Sequence, residues 1–123
     1  MLISAERVGG SLDAVIADDD DVAVAAVTAA ELLVGVELAD EKHEDTRRAF
    51  VEGVLALLPV EPYDLEVARV HARLLAQTRR SGRPRGAHDL LIAATAVCRG
   101  RTVVTADPSG FEGLTGVALR TAA

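Results

Sequence analysis

Three carboxylates, Glu31, Asp89 and Asp107, lie where they could act together. Asp89 directly precedes the most apolar segment of the chain, residues 90–94. Carboxylates that converge in such surroundings repel one another, so their pKa values rise unless a cation neutralises them. Oxygen ligands without histidine or cysteine favour Mg²⁺ or Mn²⁺. Such a cation lowers the pKa of a bound water and stabilises charge on a phosphate, so these residues indicate phosphodiester hydrolysis.

Each acid also has a purely structural interpretation. Residues 28–31 (TAAE) have the form of a capping box, in which Glu31 would bond to the Thr28 amide at the start of a helix. Asp89 could cap a helix or stabilise its first turn through the helix dipole. Asp107, which precedes a proline, suits the first position of a type I turn. The metal-site interpretation therefore requires all three acids to reach one edge of the fold.

Strands and helices alternate along the chain, as they must to bring these acids together. Continuous apolar runs predict buried strands, and apolar residues at the helical period predict helices. The predicted strands cover residues 22–27, 102–105 and 117–119, with a short edge strand at 59–62. The predicted helices cover 28–39, 44–57, 64–80 and 89–99, after a short helix at 11–17 and an acidic loop at 18–21. This order predicts one α/β domain over residues 1–123, with a parallel sheet that binds ligands at the carboxyl ends of its strands.

The composition excludes several classes of protein. Half of the 123 residues are apolar, which excludes a disordered chain. Cys98 is the single cysteine, which excludes a disulfide framework and the usual structural zinc site. The sequence has neither the roughly 20 consecutive apolar residues of a membrane span nor the apolar core of a signal peptide. We therefore expect a cytoplasmic protein without membrane contact.

Charge is distributed unevenly. The net charge is −6, yet residues 67–106 hold eight arginines and one acid, whereas residues 1–66 hold sixteen acids and four bases. A basic face of this kind can meet phosphates or an acidic partner, although arginines that simply solvate amphipathic helices would give the same pattern. The arginines nearest to Asp89 in the sequence are the candidates for holding nucleic-acid phosphates: Arg79, Arg80, Arg83 and Arg85. His88, beside Asp89, could contact the same ligand or serve in the loop.

Three segments together carry a resemblance to a known family. They are residues 27–35 (VTAAELLVG), 88–96 (HDLLIAATA) and 103–107 (VVTAD), the last followed by Phe111 and Leu114. In this order and at these separations they resemble the PIN-domain ribonucleases, and specifically the VapC-type toxins of VapBC toxin–antitoxin pairs. The resemblance covers nearly the whole chain.

The resemblance implies a fold and a mechanism. The fold is a three-layer α/β/α domain around a parallel sheet of strand order 3-2-1-4-5. The activity is Mg²⁺-dependent cleavage of RNA, with Mn²⁺ as an alternative ion, by a water that needs no covalent enzyme intermediate. Glu31, Asp89 and Asp107 would hold the metal, and the Thr105 hydroxyl would support them. The partners would be an RNA substrate, a second copy of the toxin, and a VapB-type antitoxin that lays an amphipathic helix into an apolar groove.

The chain departs from the family pattern in two places. In the family a central first strand ends in an aspartate, followed by a stretch that residues 1–7 (MLISAER) resemble. We therefore expect the central strand and one of four acidic positions to be absent, through a start codon assigned too far downstream or a true truncation. The neighbouring strands at 22–27 and 102–105 should then lack a partner and leave the fold marginally stable. The second departure is Gly110, where many members carry a further acid.

Two alternatives to a nuclease follow from the same residues. The chain could be a PIN-like module that binds antitoxin or RNA without cleaving, because an acidic position is missing. It could also be a phospho-acceptor receiver domain, which gathers acids around Mg²⁺ at strand ends. That class needs a lysine near the last strand, whereas the one lysine here is Lys42.

Overall fold

The computed structural model describes residues 1–3 and 22–121. The predicted helix at 11–17 and the acidic loop at 18–21 lie outside these residues. Five parallel strands form one sheet in the order β3-β2-β1-β4-β5. The strands are β1 (Leu2–Ile3), β2 (Ala23–Ala25), β3 (Val60–Glu61), β4 (Val103–Thr105) and β5 (Leu119–Thr121). The helices are α1 (Ala26–Glu37), α2 (Glu44–Leu57), α3 (Leu65–Ser81) and α4 (Ala87–Arg99).

Helices cover both faces of the sheet. One core cluster joins the sheet to α3 and α4 through Val67, Leu74 and Leu90. A second cluster, on the other face, joins the sheet to α2 through Val54. The predicted α/β/α layering and strand order are therefore confirmed. Within the described residues, no helix has both the length and the apolar character that a membrane span requires.

The expectation that the sheet lacks its central strand is wrong. Leu2 pairs with Ala23 and Val103, and the next residue, Ile3, pairs with Val24 and Val104. Successive strand residues point to opposite faces, so Leu2 fills one core cluster and Ile3 the other. Two apolar residues are enough to bridge β2 and β4, so neither strand lacks a neighbour there.

The boundaries of the helices follow local signals closely. The predicted bounds of α2 are confirmed. The Asp64 carboxylate accepts a hydrogen bond from the Val67 amide at 3.1 Å and caps α3. The left-handed residues Gly82 and Gly100, with φ of 67° and 65°, end α3 and α4. Helix α4 begins at Ala87 rather than Asp89, so that Asp89 lies in its first turn.

The start of α1 corrects the predicted cap at Thr28. The helix begins at Ala26, two residues earlier, and Thr28 is fully buried inside it. The Thr28–Glu31 capping box is therefore wrong, because both residues are helical and packing decides the helix start. The Thr28 hydroxyl is buried with no hydrogen-bond partner in the part of the chain that the structure describes. The last strand is also shifted, from 117–119 to β5, and it follows a left-handed turn at Gly116 (φ 84°).

An ion-pair network ties the end of α4 to α3 and β3. Arg99 contacts Asp64 at 2.5 Å, Glu66 at 3.4 Å and Glu61 at 3.5 Å. Arg101 contacts Glu61 at 2.9 Å. The Val67 amide and the Arg99 guanidinium hold the pKa of Asp64 below its ordinary value. Two of the eight arginines in residues 67–106 are therefore neutralised within the fold.

Candidate active site

Glu31 projects from the first half of α1, just beyond the carboxyl end of β2. Its Oε1 lies 3.3 Å from Nδ1 of His88, in the first turn of α4. The Glu31 side chain is one-third exposed and the His88 side chain is mostly exposed. This contact brings the first acidic segment against the residue that precedes Asp89.

Asp89 is half-buried in the first turn of α4 and meets the loop that follows β4. A Cβ atom built on Gly110 would lie 2.2 Å from Oδ2 of Asp89, and one built on Gly86 would lie 3.6 Å from the same atom. The backbone at Gly110 therefore lies so close to the Asp89 carboxylate that a residue with a side chain would not fit there. The second and third acidic segments meet at this point.

Asp107 is exposed and begins the single 3₁₀ turn, Pro108–Gly110, that the described residues contain. Its Oδ1 accepts hydrogen bonds from the Ser109 hydroxyl at 2.7 Å and the Ser109 amide at 3.2 Å. These two bonds hold the pKa of Asp107 below its ordinary value. The predicted turn at 107–110 is thus present, as a capped 3₁₀ turn.

Thr105 lies beneath this turn, fully buried at the end of β4. Its hydroxyl oxygen accepts a hydrogen bond from the Asp107 amide at 3.1 Å and donates to the Asp107 carbonyl at 3.3 Å. The hydroxyl therefore holds the backbone of the residue that carries the third acid. This geometry is compatible with the supporting position expected for Thr105.

The three acids are linked through neighbours but do not form a closed cluster. Within residues 1–3 and 22–121, no three His, Cys, Asp or Glu side chains are grouped tightly enough to hold a metal ion. The expected convergence of all three carboxylates on one point is therefore not met in this arrangement. Glu31 contacts His88 and Asp107 contacts Ser109. The oxygen atoms of three carboxylates are ligands of the type that Mg²⁺ and Mn²⁺ prefer.

Arg85 contacts the backbone of two loops. It is half-buried, and its guanidinium donates to the backbone carbonyls of Glu112 and Arg83. Its Nε is also buried. These contacts hold Arg85 against the loop after the 3₁₀ turn, and RNA binding by Arg85 stays a prediction. Arg79, Arg80 and Arg83 are exposed, as an RNA contact requires.

Gln77 is a further loop-holding residue, and no sequence pattern pointed to it. Its amide nitrogen donates to the Gly113 carbonyl at 2.9 Å, and its amide oxygen accepts from the Thr115 amide at 3.1 Å. Helix α3 is therefore hydrogen-bonded, through Gln77, to the segment that follows Asp107 and Gly110. A hydrogen bond from one side chain to backbone 36 or 38 residues away produces no local signal in the sequence.

A groove of about 610 Å³ runs between α1 and α2, starting at Glu31. Its walls include Leu32, Phe50, Val51 and the basic Arg47. Phe50 is 48% exposed. An apolar channel thus leads along the surface to one of the three acids.

The PIN domain family model matches residues 3–114, which include all three acids, strands β2, β3 and β4, and Ile3 of β1. The chain belongs to the PIN-domain family. Its relatives place it with the VapC-type members. It is 35% identical to the tRNA(fMet)-specific endonuclease VapC of Salmonella typhimurium, over 76% of this chain and 70% of that protein. It is 38% identical to the ribonuclease VapC5 of Mycobacterium tuberculosis, over 80% of this chain and 73% of that protein.

A solved structure of the VapBC family supports the same assignment. The crystal structure of VapBC-5 from Mycobacterium tuberculosis, a toxin–antitoxin system, contains a chain that superposes on this PIN domain with a TM-score of 0.79. The two chains are 34% identical, and the match covers 98% of this chain and 94% of the other. The receiver-domain alternative is therefore wrong.

Proposed function

We propose that this PIN domain is a Mg²⁺-dependent endoribonuclease toxin of a type II toxin–antitoxin system. The observation that carries the proposal is the meeting of three acidic segments at one edge of the sheet. Glu31 reaches the first turn of α4 through His88, and Asp89 in that turn contacts the loop that begins at Asp107. The VapC relatives that are named ribonucleases or endonucleases support the same function.

The residues of the proposed site have two roles: some would hold the metal ion and others position those ligands. Glu31, Asp89 and Asp107 would hold Mg²⁺ or Mn²⁺, directly or through water, and the bound ion would supply an activated water and charge stabilisation at the phosphate. The Thr105 hydroxyl fixes the backbone of Asp107. His88, when Nδ1 carries a proton, donates to Glu31 Oε1 and holds that carboxylate beside α4. Ser109 favours the ionised form of Asp107.

We further propose a VapB-type antitoxin as partner and a homodimer as the toxin's assembly. The groove between α1 and α2 has the apolar residues Leu32, Phe50 and Val51 in its walls and includes Glu31. An antitoxin helix in this groove could extend a basic side chain towards the carboxylates. Occupation of the groove would then block the site.

The RNA would bind along an exposed arginine row on α3. Arg69, Arg73 and Arg80 are four and seven residues apart, which places them on one face of the helix. All three are exposed, and within the described residues none has an ion pair. Binding of phosphates to such a row releases counterions, so RNA affinity should fall steeply with salt.

Replacing Arg73 and Arg80 by glutamine should weaken RNA binding and flatten its salt dependence. Each phosphate that the protein no longer neutralises lowers the slope of log affinity against log salt by about 0.7 for single-stranded RNA. Fluorescence anisotropy in chelator measures the slope without cleavage. Arg48→Gln is the matched control, because Arg48 is already paired with Glu44 at 3.2 Å and Glu37 at 3.8 Å. Equal slopes for both variants and the wild type would contradict this surface.

Cleavage of a labelled single-stranded RNA by the purified chain in Mg²⁺ tests the proposed activity. We expect defined products that increase with time. The absence of a closed carboxylate cluster among the described residues favours one other function, a module that binds RNA or antitoxin without cleaving. Tight RNA binding without products would support that module and overturn the nuclease.

A further inference from the structure

Gly110 is a glycine that the backbone does not require. The glycines with positive φ among the described residues are Gly82, Gly100, Gly113 and Gly116, and Gly110 is not one of them. It ends the 3₁₀ turn that begins after Asp107, in a conformation that residues with side chains also adopt. The reason for a glycine here must therefore be space rather than backbone freedom.

Among the described residues, the group nearest to the space that Gly110 leaves is the Asp89 side chain. A Cβ atom at this position would lie 2.2 Å from Oδ2, 2.9 Å from Cγ and 3.5 Å from Cβ of Asp89. The first two distances are far inside van der Waals contact, and the three nearest atoms all belong to Asp89. One Cα–H bond of Gly110 thus points at the Asp89 carboxylate, in the manner of a weak C–H···O contact.

We infer that Gly110 is a positioning residue. Because it has no side chain, it leaves the space in which the Asp89 carboxylate takes its orientation. This inference rests on the proposed function of the site. Any side chain at 110, including the further acid that the family resemblance leads one to expect, begins with the Cβ atom that Asp89 excludes. The site of this chain therefore works with Glu31, Asp89 and Asp107, and has no room for a further acid at 110 while Asp89 keeps its orientation.

The clash would be relieved at Asp89 rather than in the fold. The atoms in the way are the end of a flexible side chain, so rotation of Asp89 relieves the overlap while the first turn of α4 stays in place. A rotated carboxylate no longer faces the Asp107 turn. A change that disturbs the orientation of a metal ligand commonly lowers metal affinity by about 10- to 100-fold.

Three glycine-to-alanine variants form a graded series that tests this. A Cβ at Gly53 meets nothing within 4 Å, one at Gly86 makes an ordinary 3.6 Å contact with Asp89, and one at Gly110 overlaps it. Calorimetry should show Mg²⁺ affinity reduced about 10- to 100-fold in Gly110→Ala only. In metal-free protein, the carboxyl ¹³C resonance of Asp89 should shift in this variant alone. Unchanged Mg²⁺ affinity and an unchanged resonance would overturn the inference, as would tighter Mg²⁺ binding by Gly110→Asp.

A double-mutant cycle on the metal-free protein tests the contact without any catalytic readout. Asp89→Ala removes Oδ2 and Cγ and leaves only the Cβ at 3.5 Å. Gly110→Ala should lower the melting temperature of the wild type but not that of Asp89→Ala. Equal shifts in both backgrounds would overturn the inference. If Gly110→Ala does not fold, folding of the double variant supports the inference and its failure to fold overturns it.

Different results would overturn the proposed function and the proposed role of Gly110. A wild-type chain that neither binds Mg²⁺ nor cleaves RNA would overturn the proposed function. The melting-temperature cycle would still report whether Gly110 makes room for Asp89.

Discussion

Replacing Asp89 by asparagine should reduce RNA cleavage by at least about 100-fold, equivalent to about 2.7 kcal/mol in activation free energy. Asparagine keeps the shape of the side chain but removes the charge that a divalent cation requires. Asp89 is the acid that meets the Asp107 turn, and its helix neighbour His88 contacts Glu31. Loss of its charge should therefore disable the site while the fold survives, as circular dichroism would show.

Asp45→Asn is the matched control for that variant. Asp45 lies in the first turn of α2, as Asp89 lies in the first turn of α4, and it is exposed. The change in charge and the effect on the helix dipole are therefore the same. Cleavage by Asp45→Asn at the wild-type rate is expected. Wild-type cleavage by Asp89→Asn would remove Asp89 from the site.

Leu74→Ala should lower the free energy of unfolding by about 2–5 kcal/mol, which is the usual cost of deleting a buried leucine side chain. Leu74 is 0% exposed and packs in the cluster that joins α3 and α4 to the sheet. A loss of this size is a large share of the roughly 5–15 kcal/mol that stabilises a typical domain. Urea unfolding measures it.

Leu65→Ala, on the same helix, provides the comparison. Leu65 is 66% exposed, so its truncation removes little buried surface and should change the unfolding free energy by less than about 0.5 kcal/mol. Similar losses for both variants would show that α3 does not pack on the sheet through the Leu74 face.

Local signals made several elements predictable from the sequence. Asp64 before an amphipathic run, and glycines after the last apolar turns, are short-range features that cap and end helices in any context. The start of α1 was mispredicted because Thr28 has the type of a cap, whereas burial of its side chain in the fold places it inside the helix. Strand β1 was missed because two residues carry no periodicity, and only pairing with β2 and β4 identifies them as a strand.

The candidate site was predictable in its acids but not in their supports. Glu31, Asp89 and Asp107 could be placed at one edge of the sheet because parallel topology brings the carboxyl ends of strands together. The contacts that hold them join distant positions: His88 to Glu31, Gln77 to Gly113 and Arg85 to Glu112. Gly110 was visible only as a departure from the family pattern, and the overlap with Asp89 supplies its physical reason.

Removal and return of the metal tests the central claim most directly. The purified chain would be treated with chelator, assayed on labelled single-stranded RNA, and assayed again after excess Mg²⁺ is added. The carboxylate site predicts that cleavage stops in chelator and returns with Mg²⁺ or Mn²⁺, while circular dichroism stays unchanged throughout. Cleavage that continues at the same rate in chelator would contradict a metal site built from Glu31, Asp89 and Asp107.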